Sequence, residues 1–169
     1  MPSERRLEKL MSKVHPVPPG NHTVTAGLVV KGGKRAIEFY KTAFGATELG
    51  VMLGPDGSVM HAEFKIGDTK LHLADELPAM GALSPQTLGG SPVSLNIYTE
   101  DCDAMFKRAV DAGAKATAPP ADMFWGDRYC KITDPFGHNW AILTHIEDVS
   151  MQEMEKRGKE AMAQMMAKK

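Results

Sequence analysis

The sequence predicts an α+β fold made of two β-α-β-β-β modules. The order strand, helix, strand, strand, strand occurs twice along the chain. Each helix ends on the same pair, Gly45-Ala46 and then Gly113-Ala114, with glycine where a helix C-terminus favours it. The strands alternate polar and apolar residues, the pattern of a sheet with one buried face. In each module the helix then covers one face of a curled four-stranded sheet and leaves the other uncovered. Two such sheets side by side would form a concave cup.

The 169 residues, 43% hydrophobic and 24% charged, suit one domain or two small fused modules with a real core. A formal net charge of −1 argues against a nucleic-acid or anionic-membrane surface. No apolar run approaches membrane-spanning length, and Met1-Pro2-Ser3-Glu4-Arg5-Arg6 has no apolar signal core behind it. The two cysteines, Cys102 and Cys130, belong to no CxxC motif and no Cys/His cluster, so a reduced, cytoplasmic protein is expected.

Residues 1–20 read as an arm. Leu7, Leu10, Met11 and Val14 have helical spacing, and His15-Pro16-Val17-Pro18-Pro19-Gly20 is an extended linker. The domain is expected over residues 21–148. Module one, about 21–75, opens with a strand from Val24 to Val30. Gly32-Gly33 then leads into a helix with Ala36, Ile37, Phe39, Tyr40, Ala43 and Phe44 on its apolar face. Strands from Glu48 to Leu53 and from Val59 to Ile66 flank a turn cluster, and a fourth runs from Lys70 to Ala74. Residues 76–92, rich in Pro, Gly and small side chains, read as a long connection and a mobile cover.

Module two, 93–148, repeats the pattern. It has a strand from Val93 to Tyr98, Asp101 as helix N-cap, and Met105, Phe106, Ala109 and Val110 as the helix face. Residues 149–169 open on a capping box, Ser150-Met151-Gln152-Glu153, and form a helix carrying Met151, Met154, Met162, Met165 and Met166. That methionine-rich surface is soft packing material for this subunit or a dimer mate.

The most informative stretch is Asp127 to Trp140. Cys130 and Ile132 share one strand face; Tyr129, Lys131 and Thr133 share the other. Asp134-Pro135-Phe136-Gly137 is turn chemistry, and Trp140-Ala141-Ile142-Leu143 resumes an apolar strand. Taken alone this is an ordinary half-buried hairpin. Asp-Pro-Phe-Gly-His-x-Trp at 134–140, preceded by Gly126-Asp127-Arg128, resembles the end of a vicinal-oxygen-chelate domain. That superfamily includes glyoxalase I, extradiol dioxygenases and bleomycin-resistance proteins, and the likeness is greatest to its PhnB-like branch. The resemblance runs from about Val24 to Asp148 and implies the cup architecture, a homodimer and a small-molecule ligand. The branch also carries a quinone-precursor methyltransferase label, but no Gly-rich nucleotide loop follows the first strand to hold a methyl donor.

Strand alternation sorts the residues. Phe64, Ile66, Leu71, Leu73, Leu95, Ile97, Cys130, Ile132, Trp140 and Ile142 should face the helices. The opposite parity, facing the cup, includes His61, Glu63, Lys70, His72, Asn96, Tyr98, Tyr129, Lys131, Ala141 and Leu143. The ligand-binding candidates are His61, Glu63, His72, Asn96, Tyr98, Tyr129 and Lys131, with Trp125 and Arg128 at the rim. There Trp125 would stack on a planar ligand, while Arg128 would hold an anionic group or pair with Asp127. His72 and Glu63 are the candidates for acid–base catalysis.

In metal-using members, the resemblance places ligands on the first and fourth strands of each module, here Thr25, His72, Ser94 and Ala141. Only His72 among these binds a metal well, so the leading reading is a cup that binds a small organic molecule with no metal or other cofactor. One alternative is a metal-dependent lyase, isomerase or dioxygenase using His61, Glu63 and His72, against which stands a plain cross-strand Glu63–His72 hydrogen bond. A second is a regulatory or interaction module docking a partner through the arm and the methionine-rich helix.

Overall fold

The computed structural model describes residues 14–167. Of the helically spaced Leu7, Leu10, Met11 and Val14, only Val14 lies within them. Module one comprises β1 (Gly27–Val30), α1 (Gly33–Phe44), β2 (Thr47–Leu53), β3 (Val59–Ile66) and β4 (Thr69–Asp75). Module two comprises β5 (Ser94–Tyr98), α3 (Cys102–Asp111), β6 (Lys115–Asp122), β7 (Asp127–Thr133) and β8 (Asn139–His145). The short α2 (Pro85–Leu88) lies between them and α4 (Met151–Ala167) follows. The sheets have the matching orders β1-β4-β3-β2 and β5-β8-β7-β6, with only the first pair of each parallel. The repeat anticipated from the sequence is therefore a repeat of topology.

Local chemistry sets the boundaries. β1 begins at Gly27 rather than Val24, because Thr25 Oγ1 turns back to donate to the His22 carbonyl at 3.2 Å. α1 has no side-chain cap of its own. Asp75, at the end of β4, accepts from the backbone N–H groups of Gly32 and Gly33, each at 2.7 Å, and from Val59 N–H at 2.8 Å. One carboxylate thus anchors the start of α1 and the start of β3 together. Gly33 is required there, since a Cβ would stand 2.7 Å from Val59 Cβ. The expected caps at the other helices form: Ala104 N–H donates to Asp101 at 2.9 Å, and Glu153 N–H to Ser150 Oγ at 3.2 Å. β6 carries Pro119 and Pro120, tolerated because it is an edge strand whose register shifts twice against β7.

The connection between the modules is a folded segment rather than a bare loop. Glu76 accepts from Thr87 Oγ1 and Ser84 Oγ, both at 2.7 Å, and from Ser84 N–H at 3.1 Å. Those hydrogen bonds, Thr87's foremost, pull its carboxyl down to about 2.

The two modules share one core. Every residue expected on the apolar face of α1 is buried, and the helix-facing strand residues are buried or partly buried against it. Tyr40 of α1 stacks on Phe64 of β3 with ring centres 5.3 Å apart, and Phe44 meets Trp140 of β8 at 4.8 Å. Asp134, in the turn before β8, is the polar centre of this junction. It accepts from Tyr40 Oη and Trp140 Nε1, each at 2.8 Å, and from the N–H groups of Phe136 and His138, each at 2.9 Å. Burial first, and then the Asp134 carboxylate, hold the Tyr40 hydroxyl well above its ordinary pKa. His138, just after the turn, also crosses to module one: its Nε2 lies 3.1 Å from the Val29 carbonyl of β1.

Because α1 and α3 pack together between the sheets, the uncovered sheet faces look away from the common core and from each other. Among the described residues no helix is long and apolar enough to cross a membrane.

Candidate functional site

The open face of the first sheet presents His61, Glu63, Lys70 and His72. Glu63 and His72 are directly opposite in the β3–β4 register, and His61 follows two residues along on the same face. Glu63 takes its hydrogen bond from Lys70 Nζ at 3.2 Å, through Oε2. That bond is the main reason its carboxyl titrates below the usual range. The expected Glu63–His72 hydrogen bond is not made. Glu63 Oε1 stands 3.7 Å from His72 Nε2 and 3.7 Å from His61 Nε2, beyond hydrogen-bonding distance. The two imidazole rings are 5.0 Å apart, and His72 Nε2 is buried without a partner.

The open face of the second sheet is organised around a residue that sequence reasoning left at the rim. Asp127 is buried, and its Oδ2 accepts from Tyr98 Oη at 3.0 Å and Trp125 Nε1 at 3.1 Å. Its Oδ1 meets His145 Nδ1 at 2.8 Å, while His145 Nε2 lies 3.0 Å from Asp148. The bond to Asp127 raises the Tyr98 pKa. Asp127 first and Asp148 second raise that of His145. Trp125 stands edge-on to Tyr129 at 5.9 Å and to Phe124 at 5.0 Å. Asn96, Tyr98, Trp125, Tyr129, Leu143 and Met154 line an open depression of about 600 Å³. Lys131 shares the face, opposite Ala141 in the β7–β8 register.

Asp127 and His145 could have been found, because both continue the alternation of Tyr129, Lys131, Ala141 and Leu143. Met154 could not, since its place at the rim depends on α4 folding back. Arg157 of that helix makes a two-pronged contact with Glu147 at 2.8 Å per bond, and Gly158 lies against the Phe124 ring.

Arg128 is not in the site. It shares the parity of Cys130 and Ile132, so its guanidinium points to the helix side. There it donates to Asp103 at 2.9 and 3.0 Å and to Asp122 at 2.8 Å. These carboxylates raise its pKa further, and they, not Asp127, are its partners.

The sequence-based sorting also placed all the candidates in one cup. Within one chain they form two groups on sheets facing opposite ways. Among the described residues, no hydrogen bond, ion pair or ring contact joins His61, Glu63 and His72 to Asn96, Tyr98, Trp125, Tyr129 and Lys131.

The metal places implied by the family resemblance can be set in register. His72 is paired across β1–β4 with Gly27, not Thr25, and Ala141 across β5–β8 with Asn96, not Ser94. Two of the four positions have no donor atom and the third is an amide. The residues present do not fit the family's metal at those places.

Comparison with known proteins agrees with this architecture. The chain is 41% identical over 131 residues to the Mycobacterium tuberculosis protein Rv0887c, covering 76% of this chain and 77% of that one. It superposes on the X-ray structure of the Arabidopsis thaliana gene product At5g48480 with a TM-score of 0.59 and 31% identity, over 72% of this chain and 97% of that one. A glyoxalase/bleomycin resistance protein/dioxygenase from Nocardioides shares the fold at 24% identity, with a TM-score of 0.58 over 88% of this chain and 96% of that one. The model of the Glyoxalase/Bleomycin resistance protein/Dioxygenase superfamily matches residues 21–142, and the chain belongs to that family.

Proposed function

We propose that this protein binds a small, planar organic molecule with polar substituents on the aromatic floor of its second sheet, in a cup closed by a second copy of the chain. The carrying observation is the depression where Trp125, Tyr98 and Tyr129 surround Asn96. Buried Asp127 holds the polar tips of Tyr98 and Trp125, and Tyr129 stands edge-on to Trp125, so two of the rings are fixed before a ligand arrives. A dimer is supported by the outward-looking faces. It is also supported by β2, an edge strand exposed along its whole length that presents Leu49, Val51, Met52 and Leu53. An uncovered apolar edge of that kind is a pairing surface. Setting the first sheet of one copy against the second sheet of the other would unite the two groups in one cup, twice per dimer. A cytoplasmic, reduced setting belongs to the same reading, since both cysteines are free and buried.

The test uses anilinonaphthalene sulfonate as a planar anionic probe, with fluorescence titration beside light-scattering mass measurement. Saturable binding near one equivalent per chain is expected, in a dimer. Trp125→Ala should weaken it at least about fivefold, the equivalent of roughly 1 kcal/mol for a lost aromatic contact. Binding indifferent to Trp125→Ala and Tyr129→Ala would overturn the proposal.

A further inference from the structure

The family's metal places do not fit an ion on this chain, yet donors stand together one strand away. We infer that His61, Glu63 and His72 bind one divalent transition-metal ion on the open face of the first sheet. The three distances carry the argument. Glu63 Oε1 is 3.7 Å from each imidazole Nε2, too long for a hydrogen bond but close to the spacing of two ligands on one ion. With metal–ligand bonds of about 2.0–2.1 Å, two ligands of a tetrahedral zinc are ~3.4 Å apart. One ligand atom from each residue lies within 4.8 Å of the others. A small turn of His61, the most exposed of the three at 45%, closes the third edge.

His72 supplies an independent observation. Its Nε2 is buried and has no partner. An unpaired buried polar atom costs about 1–3 kcal/mol, and a bound ion is one of the few things that accounts for one in a native protein. Glu63 Oε1, the nearest carboxylate oxygen, stands too far off to bond it. A cation between the three donors satisfies all of them at once.

The surroundings fit. Lys70 occupies Glu63 Oε2, which leaves Oε1 turned toward the imidazoles and gives the carboxylate the outer hydrogen bond that metal ligands usually have. Two imidazoles and one carboxylate suit zinc or ferrous iron and not magnesium or calcium. The three side chains stand on the uncovered face of the sheet, where water or an oxygen-bearing molecule would complete the coordination of the ion. Only His72 is shared with the family's usual set; His61 and Glu63 come from β3. The site uses neither the aromatic floor of the second sheet nor a second copy, so it stands or falls apart from the ligand reading above.

The experiment strips the full chain with a chelator, titrates Zn²⁺ by calorimetry and follows Co²⁺ by visible absorption. One equivalent per chain is expected, with Co²⁺ giving the d–d bands of a nitrogen and oxygen site. His61→Ala, Glu63→Gln and His72→Ala should each weaken binding more than tenfold, whereas Asp111→Asn, an exposed carboxylate at the end of α3, should leave it unchanged. Circular dichroism checks the fold of each variant, and Glu63→Gln, which keeps the side chain's shape, carries the test should an alanine variant unfold. Absence of stoichiometric binding by the parent chain, or binding undiminished by Glu63→Gln and His61→Ala, would overturn the inference.

Discussion

Replacing Asp134 probes the joint between the modules most directly. Its carboxylate accepts four hydrogen bonds, at 2.8 to 2.9 Å, two at each oxygen. Bonds to a charged group contribute about 1.5–3 kcal/mol each. The four share one acceptor group and are not additive, so Asp134→Ala should cost about 4 kcal/mol, the range for breaking a buried network. Asp134→Asn is the sharper variant. Its amide NH2 group can donate to a rotated Tyr40 hydroxyl but can only oppose the Trp140 Nε1–H, which is a donor alone. About 2 kcal/mol is expected. Tyr40→Phe leaves three of the four donors in place and should cost about 1 kcal/mol. For a chain of this size each kcal/mol lowers Tm by roughly 2–4 °C. Urea unfolding at one fixed protein concentration, with the slope m held common, measures all three. A loss under about 1 kcal/mol for Asp134→Ala, or a Tyr40→Phe loss equal to it, would refute the account of Asp134 as the junction's polar centre.

Three further outcomes follow from the same geometry. Gly126 has φ +97°, and a Cβ there would run into the Glu147 carbonyl oxygen. Gly126→Ala should therefore destabilise the chain by about 2 kcal/mol or more, and a Tm within a degree of the parent would contradict it. His145 is raised above 6.5 by Asp127 and then Asp148. The stability it contributes is complete below its unfolded value near 6.5 and lost as pH climbs through the raised native value. Histidine NMR titration should place its midpoint above 6.5, and His145→Gln should flatten the stability curve over that window; a midpoint at or below 6.5 would count against the pairing. Burial pushes the Cys130 thiol up to about 12, so it should resist an aromatic disulfide reagent at pH 8 until the protein is unfolded. Rapid labelling of the native chain would show the site to be open.

Much of the fold was legible because it is written in short-range patterns. The two Gly-Ala helix stops and the alternation through Phe64, Leu71, Cys130 and Ile142 fix module order and the inner face of each sheet. What alternation cannot carry is the orientation of one sheet to the other. That depends on Tyr40 reaching Asp134, 94 residues away, and on Phe44 meeting Trp140. The Asp-Pro-Phe-Gly turn reads as local chemistry in the sequence, whereas its aspartate also ties the modules together. Arg128 was misplaced by its position beside a loop, although its parity with Cys130 already put it on the helix side. The carboxylate that starts α1 is supplied by Asp75, at the far end of the module, so no capping pattern near Gly32 announced it.

The opposed directions of the two open faces have a genetic consequence. In a dimer whose cups each draw one face from either chain, a lesion at His72 and a lesion at Trp125 fall in different halves of a cup. Mixing His72→Ala chains with Trp125→Ala chains would yield hybrids with one cup carrying both lesions and one carrying neither. Two inactive parents would then complement each other, reaching half the wild-type capacity per hybrid.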